Sequence, residues 1–162
     1  MNIWKRISTL SLSQLVQFGF IFLKKPLLII PTLKATKQTF SICNRLYGKA
    51  HHRGNKANAF RHALWNVLIC QKTLKITKND EKSEFWAKKV TDLYEKVTKN
   101  DPLDQAMDLH NNNIGRVVFR SKTFKNDTEI INFLQNMAEN AQKVSKMNEI
   151  EDSEENLIYI AH

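Results

Sequence analysis

The sequence has few of the residues that form turns, cross-links and metal sites. Its 162 residues include only four Gly, three Pro and two Cys. So few turn-forming residues favour long helices joined by short connections. Cys43 and Cys70 lie in apolar stretches without a Cys or His at metal-ligand spacing. We therefore expect two buried thiols in a reducing compartment, and neither a disulfide nor a zinc finger.

Acidic side chains are absent from residues 1–79. Residues 1–80 contain 14 Lys and Arg and a single acid, Asp80, so their net charge is +13. Residues 81–162 contain 11 Lys and Arg and 15 Asp and Glu, so their net charge is −4 and that of the chain is +9. Such asymmetry is typical of a surface that faces a polyanion, either anionic lipid headgroups or nucleic acid phosphates. The alternative is that the charge serves only solubility.

The apolar, basic segment of residues 1–31 contains no uninterrupted apolar run of the roughly 20 residues that a spanning helix needs. Ser and Gln dilute it, and Lys24, Lys25 and Pro26 stand where a signal peptide would have small residues. We expect two short apolar helices that meet at Pro26. They suit either the membrane interface or the hydrophobic core, and the sequence leaves both open.

Helical periodicity predicts one compact, all-α domain of about five to six helices over residues 32–147, followed by an acidic tail over residues 148–162. Leu157 to Ile160 are expected to pin that tail back as helix or strand. Helix boundaries are predicted from caps and stops at Gly48, Asn55, Asp80, Asp101, Gly115 and Asp127. Gly115 is expected to end or bend its helix.

A polar stripe marks the helix that starts at Lys56. Asn58, His62 and Asn66 are four residues apart and so lie along one face, with Arg61 and Trp65 beside them. An exposed stripe would be richer in Lys and Glu. We therefore expect these side chains to face inward.

Two further helices carry polar side chains that can meet this stripe. The helix from Pro102 places Asp104, Asp108 and Asn112 on one face, and the helix before it places Asp92 and Glu95 on another. If the three helices pack together, an imidazole, a guanidinium and several carboxylates converge. Buried convergence of this kind needs hydrogen-bond partners, which the amides supply.

These residues give a candidate site with two interpretations. An imidazole and two carboxylates suit a divalent metal, and a carboxylate beside an imidazole also suits a general base. The alternative is a structural network in which Arg61 pairs with Asp108 or Asp92. The sequence identifies no metal or cofactor. The candidate catalytic residues are His62, Asp108, Glu95 and Arg61, and the candidate substrate-binding residues are Asn58, Trp65, Asn66, Asn111, Asn112 and Arg116. His110 is a weaker candidate, and His51 and His52 are expected to form a surface patch.

The segments 58–66, 91–95 and 107–116 resemble an uncharacterised bacterial domain family with the patterns AFRHAxWN, HE and MDxxNNxxGR. The resemblance covers about residues 55–120. Some relatives lie at the ends of large secreted or toxin-like proteins, and short ones resemble stand-alone proteins of Bacteroidota. Tyr94 stands where the pattern has His. The resemblance implies no activity, but it implies that the pattern residues are Arg61, His62, Trp65, Asn66, Glu95, Asp108, Asn111, Asn112, Gly115 and Arg116.

Two functions are compatible with these features. The first is a hydrolase acting on a phosphate-bearing or lipid substrate, with His62 as base or ligand. The second is a non-enzymatic peripheral membrane or scaffold protein whose polar network is structural. The expected location is cytoplasmic, and association with an anionic membrane surface is the alternative to packing of residues 1–31 in the core. Nucleic acid binding is disfavoured, because no exposed aromatic residues are interleaved with the basic ones.

Overall fold

The computed structural model describes residues 12–98, 101–153 and 155–160. The expected all-α fold is confirmed. The described residues form seven α-helices. Five of them lie between residues 29 and 139, in agreement with the number predicted for the helical domain, and the other two lie in the N-terminal segment and in the acidic segment after residue 146. The helices are α1 Leu12–Lys24, α2 Ile29–Tyr47, α3 Lys56–Thr77, α4 Asp80–Thr98, α5 Pro102–Ser121, α6 Asp127–Glu139 and α7 Met147–Glu151.

Most of the helix boundaries follow from local capping chemistry. Asn55 and Asp101 accept hydrogen bonds from backbone N–H groups of the first turns of α3 and α5, as expected. Gly48 follows α2 with a φ of 56°, a conformation that glycine adopts without strain. The prediction that Asp127 caps α6 was wrong by one residue, because Asp127 is the first residue of that helix. Asn126 is the residue whose side chain caps α6.

Helix α3 is the centre of the fold, and α2, α4, α5 and α6 all pack against it. Every residue from Ala57 to Cys70 is buried, including the polar ones. The prediction of an end of α5 at Gly115 was wrong, since this helix continues to Ser121, and the alternative of a bend stays a prediction. A Cβ atom at Gly115 would lie only 2.8 Å from the Cα of Ala63 and closer still to its carbonyl oxygen. The glycine therefore permits close approach of α5 to α3 rather than a helix break.

The N-terminal apolar segment is divided between core and surface. Its helix ends before Pro26, as expected, and the boundary placed between residues 31 and 32 falls inside α2. Phe22 packs on Trp86 with ring centroids 6.0 Å apart, whereas Phe20 is 61% exposed. Residues 1–11 lie outside the described part. Among the described helices, none is long and apolar enough to cross a membrane.

The end of the chain returns to the domain as a strand. Strands β1 Gln142–Lys143 and β2 Ile158–Tyr159 pair in parallel, which confirms one of the two expected forms of this segment. The N–H of Ile160 donates to the carbonyl of Gly54 at 2.7 Å. Residues 155–160 therefore connect the end of the chain to the loop before α3.

Candidate active site between three helices

The imidazole of His62 lies between two carboxylates from different helices. On α3, His62 places Nδ1 3.4 Å from Glu95 Oε1 of α4 and Nε2 3.2 Å from Asp108 Oδ1 of α5. Their exposed fractions are 1% for His62, 0% for Glu95 and 4% for Asp108. The expected convergence of three helices is thus what the structure contains.

The Nδ1 side of the ring is held by an amide and a carboxylate. Asn112 donates from its Nδ2 to Glu95 Oε1 at 3.2 Å, so its Oδ1 is the atom that faces His62 Nδ1 at 3.1 Å. An amide oxygen only accepts hydrogen bonds. The proton of a neutral His62 therefore lies on Nδ1.

The Nε2 side of the ring faces a guanidinium. Arg61 Nη2 lies 2.6 Å from His62 Nε2, and Arg61 Nη1 donates to the His51 carbonyl at 2.5 Å. Because a guanidinium can only donate, Nε2 accepts and carries no proton in the neutral ring. Asn58 Oδ1 lies 3.5 Å from the same Nη2. Arg61 thus brings a fixed positive charge next to His62 Nε2.

A chain of amides extends from the imidazole to a second guanidinium. Asn66 Nδ2 donates to Asn112 Oδ1 at 2.7 Å, and Asn66 Oδ1 accepts from Arg116 Nη1 at 3.1 Å. Thr91 Oγ1 also donates to Asn66 Oδ1, at 3.3 Å. Burial lowers the pKa of Arg116, while the nearby Asp92 carboxylate acts in the opposite direction. Such extended networks fix the orientation of every member.

Most of the residues singled out from the sequence belong to this network. Two of them, Trp65 and Asn111, lie outside it. Trp65 faces α2, where its indole donates to Thr36 Oγ1 at 2.9 Å, and Asn111 binds the backbone of Ile158 through both its amide oxygen and its amide nitrogen at 2.9 Å. The residues that the network joins are Asn58, Arg61, His62, Asn66, Glu95, Asp108, Asn112 and Arg116.

Three secondary expectations change. Asp92 forms an ion pair with Lys88 at the surface, so Glu95 alone supplies the α4 carboxylate at His62. His110 binds the Asn156 carbonyl at 2.8 Å instead of rotating into the cluster. The surface patch expected at His51 was wrong, because His51 is fully buried and its Nε2 contacts Asn44 Oδ1 at 2.9 Å.

Sequence reasoning missed two supporting residues. Thr91 orients Asn66, and Gln105 Nε2 donates to the Glu95 carbonyl at 2.9 Å. Thr91 lies four residues before Glu95, so helical spacing could have placed it on the same face. Gln105 carries no comparable signal, because its partner is a backbone atom of another helix.

The cluster has the donors for two kinds of chemistry. One ligand atom from each of His62, Glu95 and Asp108 lies within 4.8 Å of the other two, a spacing that a divalent cation could bridge. The same positions also suit a general base, since one carboxylate orients the ring and the other stabilises its protonated form. The guanidinium of Arg61 at Nε2 favours the second chemistry, because it repels a cation at that nitrogen.

Comparison with known proteins identified a family but no characterised relative. No curated protein and no solved structure is significantly similar to the chain. A family model described as "Domain of unknown function (DUF6973)" matches residues 19–142. This range contains the whole polar network and ends before α7 and β2. The chain therefore belongs to the family of DUF6973 domains.

Proposed function

We propose that this domain is a hydrolase in which His62 is the general base for a phosphate-bearing substrate. The observation that carries the proposal is the imidazole held between Glu95 and Asp108, at 3.4 and 3.2 Å. A general base needs one unprotonated nitrogen and a partner that holds the other. Glu95 and Asn112 hold Nδ1, and Nε2 is the nitrogen that accepts.

The reaction follows from these positions. When the phosphoryl group of the substrate draws Arg61 away from Nε2, this nitrogen of His62 takes a proton from water as the water oxygen bonds to phosphorus. The bond from phosphorus to the leaving oxygen then breaks, and the imidazolium returns the proton to that oxygen. Arg61 supplies positive charge for the phosphoryl oxygens, and Asp108 stabilises the imidazolium. A lipid carboxylic ester could be cleaved by the same proton transfers at carbon.

The burial of the cluster supports a second, structural function. Arg61 and Asp108 are only 6% and 4% exposed, so a substrate reaches them only if a neighbouring segment moves. A buried network of this size, once formed, fixes the relative positions of α3, α4 and α5. If the network is only structural, the protein hydrolyses no substrate, and substitutions within the network change only its stability.

An activity screen with matched variants separates the two functions. Purified full-length protein is assayed with chromogenic phosphomonoesters, phosphodiesters and carboxylic esters, without and with Mg²⁺, Mn²⁺, Zn²⁺ or Ca²⁺. We expect His62→Gln and Asp108→Asn to lower kcat by about 10²–10⁴-fold, the usual contribution of acid–base groups. His110→Gln is the matched control, because its ring binds the Asn156 carbonyl outside the cluster.

Folding of each variant is checked by circular dichroism and thermal unfolding. The hydrolase proposal is overturned if no substrate class is cleaved, the divalent cations leave the unfolding temperature unchanged, and His62→Gln differs from wild type only in stability. Loss of activity in His110→Gln equal to that in His62→Gln would also contradict it. Activity that appears only with a cation would show that the three donors hold a metal.

A further inference from the structure

A cavity of about 800 Å³ lies between the end of α1, the turn that follows it, the end of α3 and the first half of α4. Trp86 and Leu28 line it from the core and are 4% and 6% exposed. Phe85, Leu27 and Ile76 also line it but are 68%, 73% and 43% exposed. This volume is in the range of cavities that hold a small apolar ligand.

The charged residues around this cavity are nearly all of one sign. Lys24, Lys25, Lys82 and Lys89 line it, and Glu81 is the one acid among the described lining residues. A purely apolar ligand would not need four ammonium groups. The lining therefore fits an apolar group that carries negative charge, as an anionic lipid does.

The apolar character continues along the outer faces of α1 and α2. Within each of these two helices the exposed apolar side chains on this face are three or four residues apart, a spacing that keeps them on one side of the helix, and Leu27 lies in the turn between the helices. Exposed apolar side chains grouped in this way are typical of an interaction surface. The residues and their exposed fractions are Val16 59%, Phe20 61%, Leu23 80%, Leu27 73%, Ile30 63% and Leu33 49%.

We propose that this region, the lysine-rimmed apolar surface, docks the protein on the anionic phospholipids of a bilayer. It comprises Phe20, Leu23, Leu27, Ile30 and Phe85 with Lys24, Lys25, Lys82 and Lys89. The apolar side chains enter the interface, the ammonium groups bind headgroup phosphates, and the cavity receives an acyl chain. In-plane binding of this kind does not need a spanning helix. It is independent of the chemistry proposed for His62.

Phe85 and two lysines of α4 provide the variants for the test. Full-length protein is sedimented with neutral phosphatidylcholine vesicles and with vesicles that also contain phosphatidylglycerol, at low and high salt. We expect binding to the anionic vesicles that weakens at high salt. Phe85→Ser should weaken this binding by about ten-fold, the value of one buried large apolar side chain. Lys82→Glu with Lys89→Glu should weaken it by at least about ten-fold.

The matched controls are Met147→Ser and Lys143→Glu, which alter an exposed apolar and an exposed basic side chain away from this surface. Both should bind vesicles as wild type does. No binding to anionic vesicles at low salt overturns the proposal, as does binding that Phe85→Ser and the charge reversals leave unchanged. A concentration-dependent dimer that Phe85→Ser abolishes, without vesicle binding, would show that the surface joins two copies instead.

Discussion

Two buried histidines illustrate how surroundings decide the role of one residue type. His62 lies between the carboxylates of Glu95 and Asp108, with the guanidinium of Arg61 at its Nε2. His51 is buried near His52 and Arg61 instead. Burial and then these positive neighbours lower the pKa of His51 to about 4. His51 is therefore neutral at pH 7.

We predict that His51 makes the fold sensitive to acid. The unfolded state takes up a proton on His51 near pH 6.5, whereas the folded state does so only near pH 4. The contribution of neutral His51 to the free energy of unfolding is therefore complete above about pH 6.5. It decreases as the pH falls from there towards 4. The slope due to this group is at most about 1.4 kcal/mol per pH unit.

Urea unfolding of wild type and His51→Asn at several pH values between about 4 and 7 measures this slope. The variant loses packing at every pH, so the comparison concerns the slope and not the absolute stability. His51→Asn should show a shallower fall than wild type. Parallel curves for the two proteins would show that His51 does not titrate in this range.

At the scale of helices, the approach of α5 to α3 is what brings Asp108 to His62. A Cβ atom at Gly115 would meet the backbone of Ala63, 2.8 Å from its Cα and 2.9 Å from its carbonyl carbon. Backbone atoms of a central helix cannot rotate away as a side chain can. Any larger residue at 115 must separate the two helices.

Gly115→Ala should therefore lower the free energy of unfolding by at least about 1–3 kcal/mol, the usual effect of overpacking. Gly19→Ala in α1 is the matched control, because a Cβ atom at Gly19 would have no neighbour within 4 Å among the described residues. Helix propensity predicts that this control gains about 0.5–1 kcal/mol. Denaturant unfolding measures both. Equal stability of the two variants would mean that α5 shifts freely on α3.

The sequence predicted the parts of this arrangement that depend on spacing along one helix. Caps at Asn55 and Asp101 and the stripe containing His62 follow from local chemistry and a period of 3.6 residues. Spacing alone could not decide between Asp92 and Glu95, which are three residues apart on α4, and only the family resemblance favoured Glu95. That choice depends on the rotation of α4 against α3, which is a property of tertiary packing. Lys88, one turn before Asp92, holds that carboxylate at the surface.

Across the whole molecule, the uneven charge distribution corresponds to two different regions. Residues 12–47 contain no acid, and among the described residues they carry most of the exposed large apolar side chains. They also include Lys24 and Lys25, two of the four lysines of the lysine-rimmed apolar surface. The carboxylates at His62 come from α4 and α5, in the later half of the chain. Charge counting alone indicated a polyanion-facing surface, but not which helices form it.

The C-terminal segment connects two walls of the candidate active site. Asn111 of α5 binds the backbone of Ile158, and Ile160 binds Gly54 in the loop whose His51 carbonyl holds Arg61. The family match ends at residue 142, so this segment lies outside the matched range. We therefore expect it to restrict access to His62 in this chain.

Ending the chain at Ser153 should make His62 accessible. Diethyl pyrocarbonate modifies neutral imidazoles, and mass spectrometry measures the rate of modification at His62. Removal of the segment should lower the free energy of local opening by at least about 1.4 kcal/mol, so this rate should rise at least about ten-fold. Truncation also removes buried Leu157 and Ile158, each contributing about 1.5–3 kcal/mol to stability. Cys70 controls for unfolding, because it is fully buried and burial raises its pKa to about 12, so alkylation is slow while the fold persists. Faster modification of His62 with unchanged alkylation of Cys70 supports a covering role. A rate at His62 that stays constant, or rises only together with alkylation of Cys70, contradicts it.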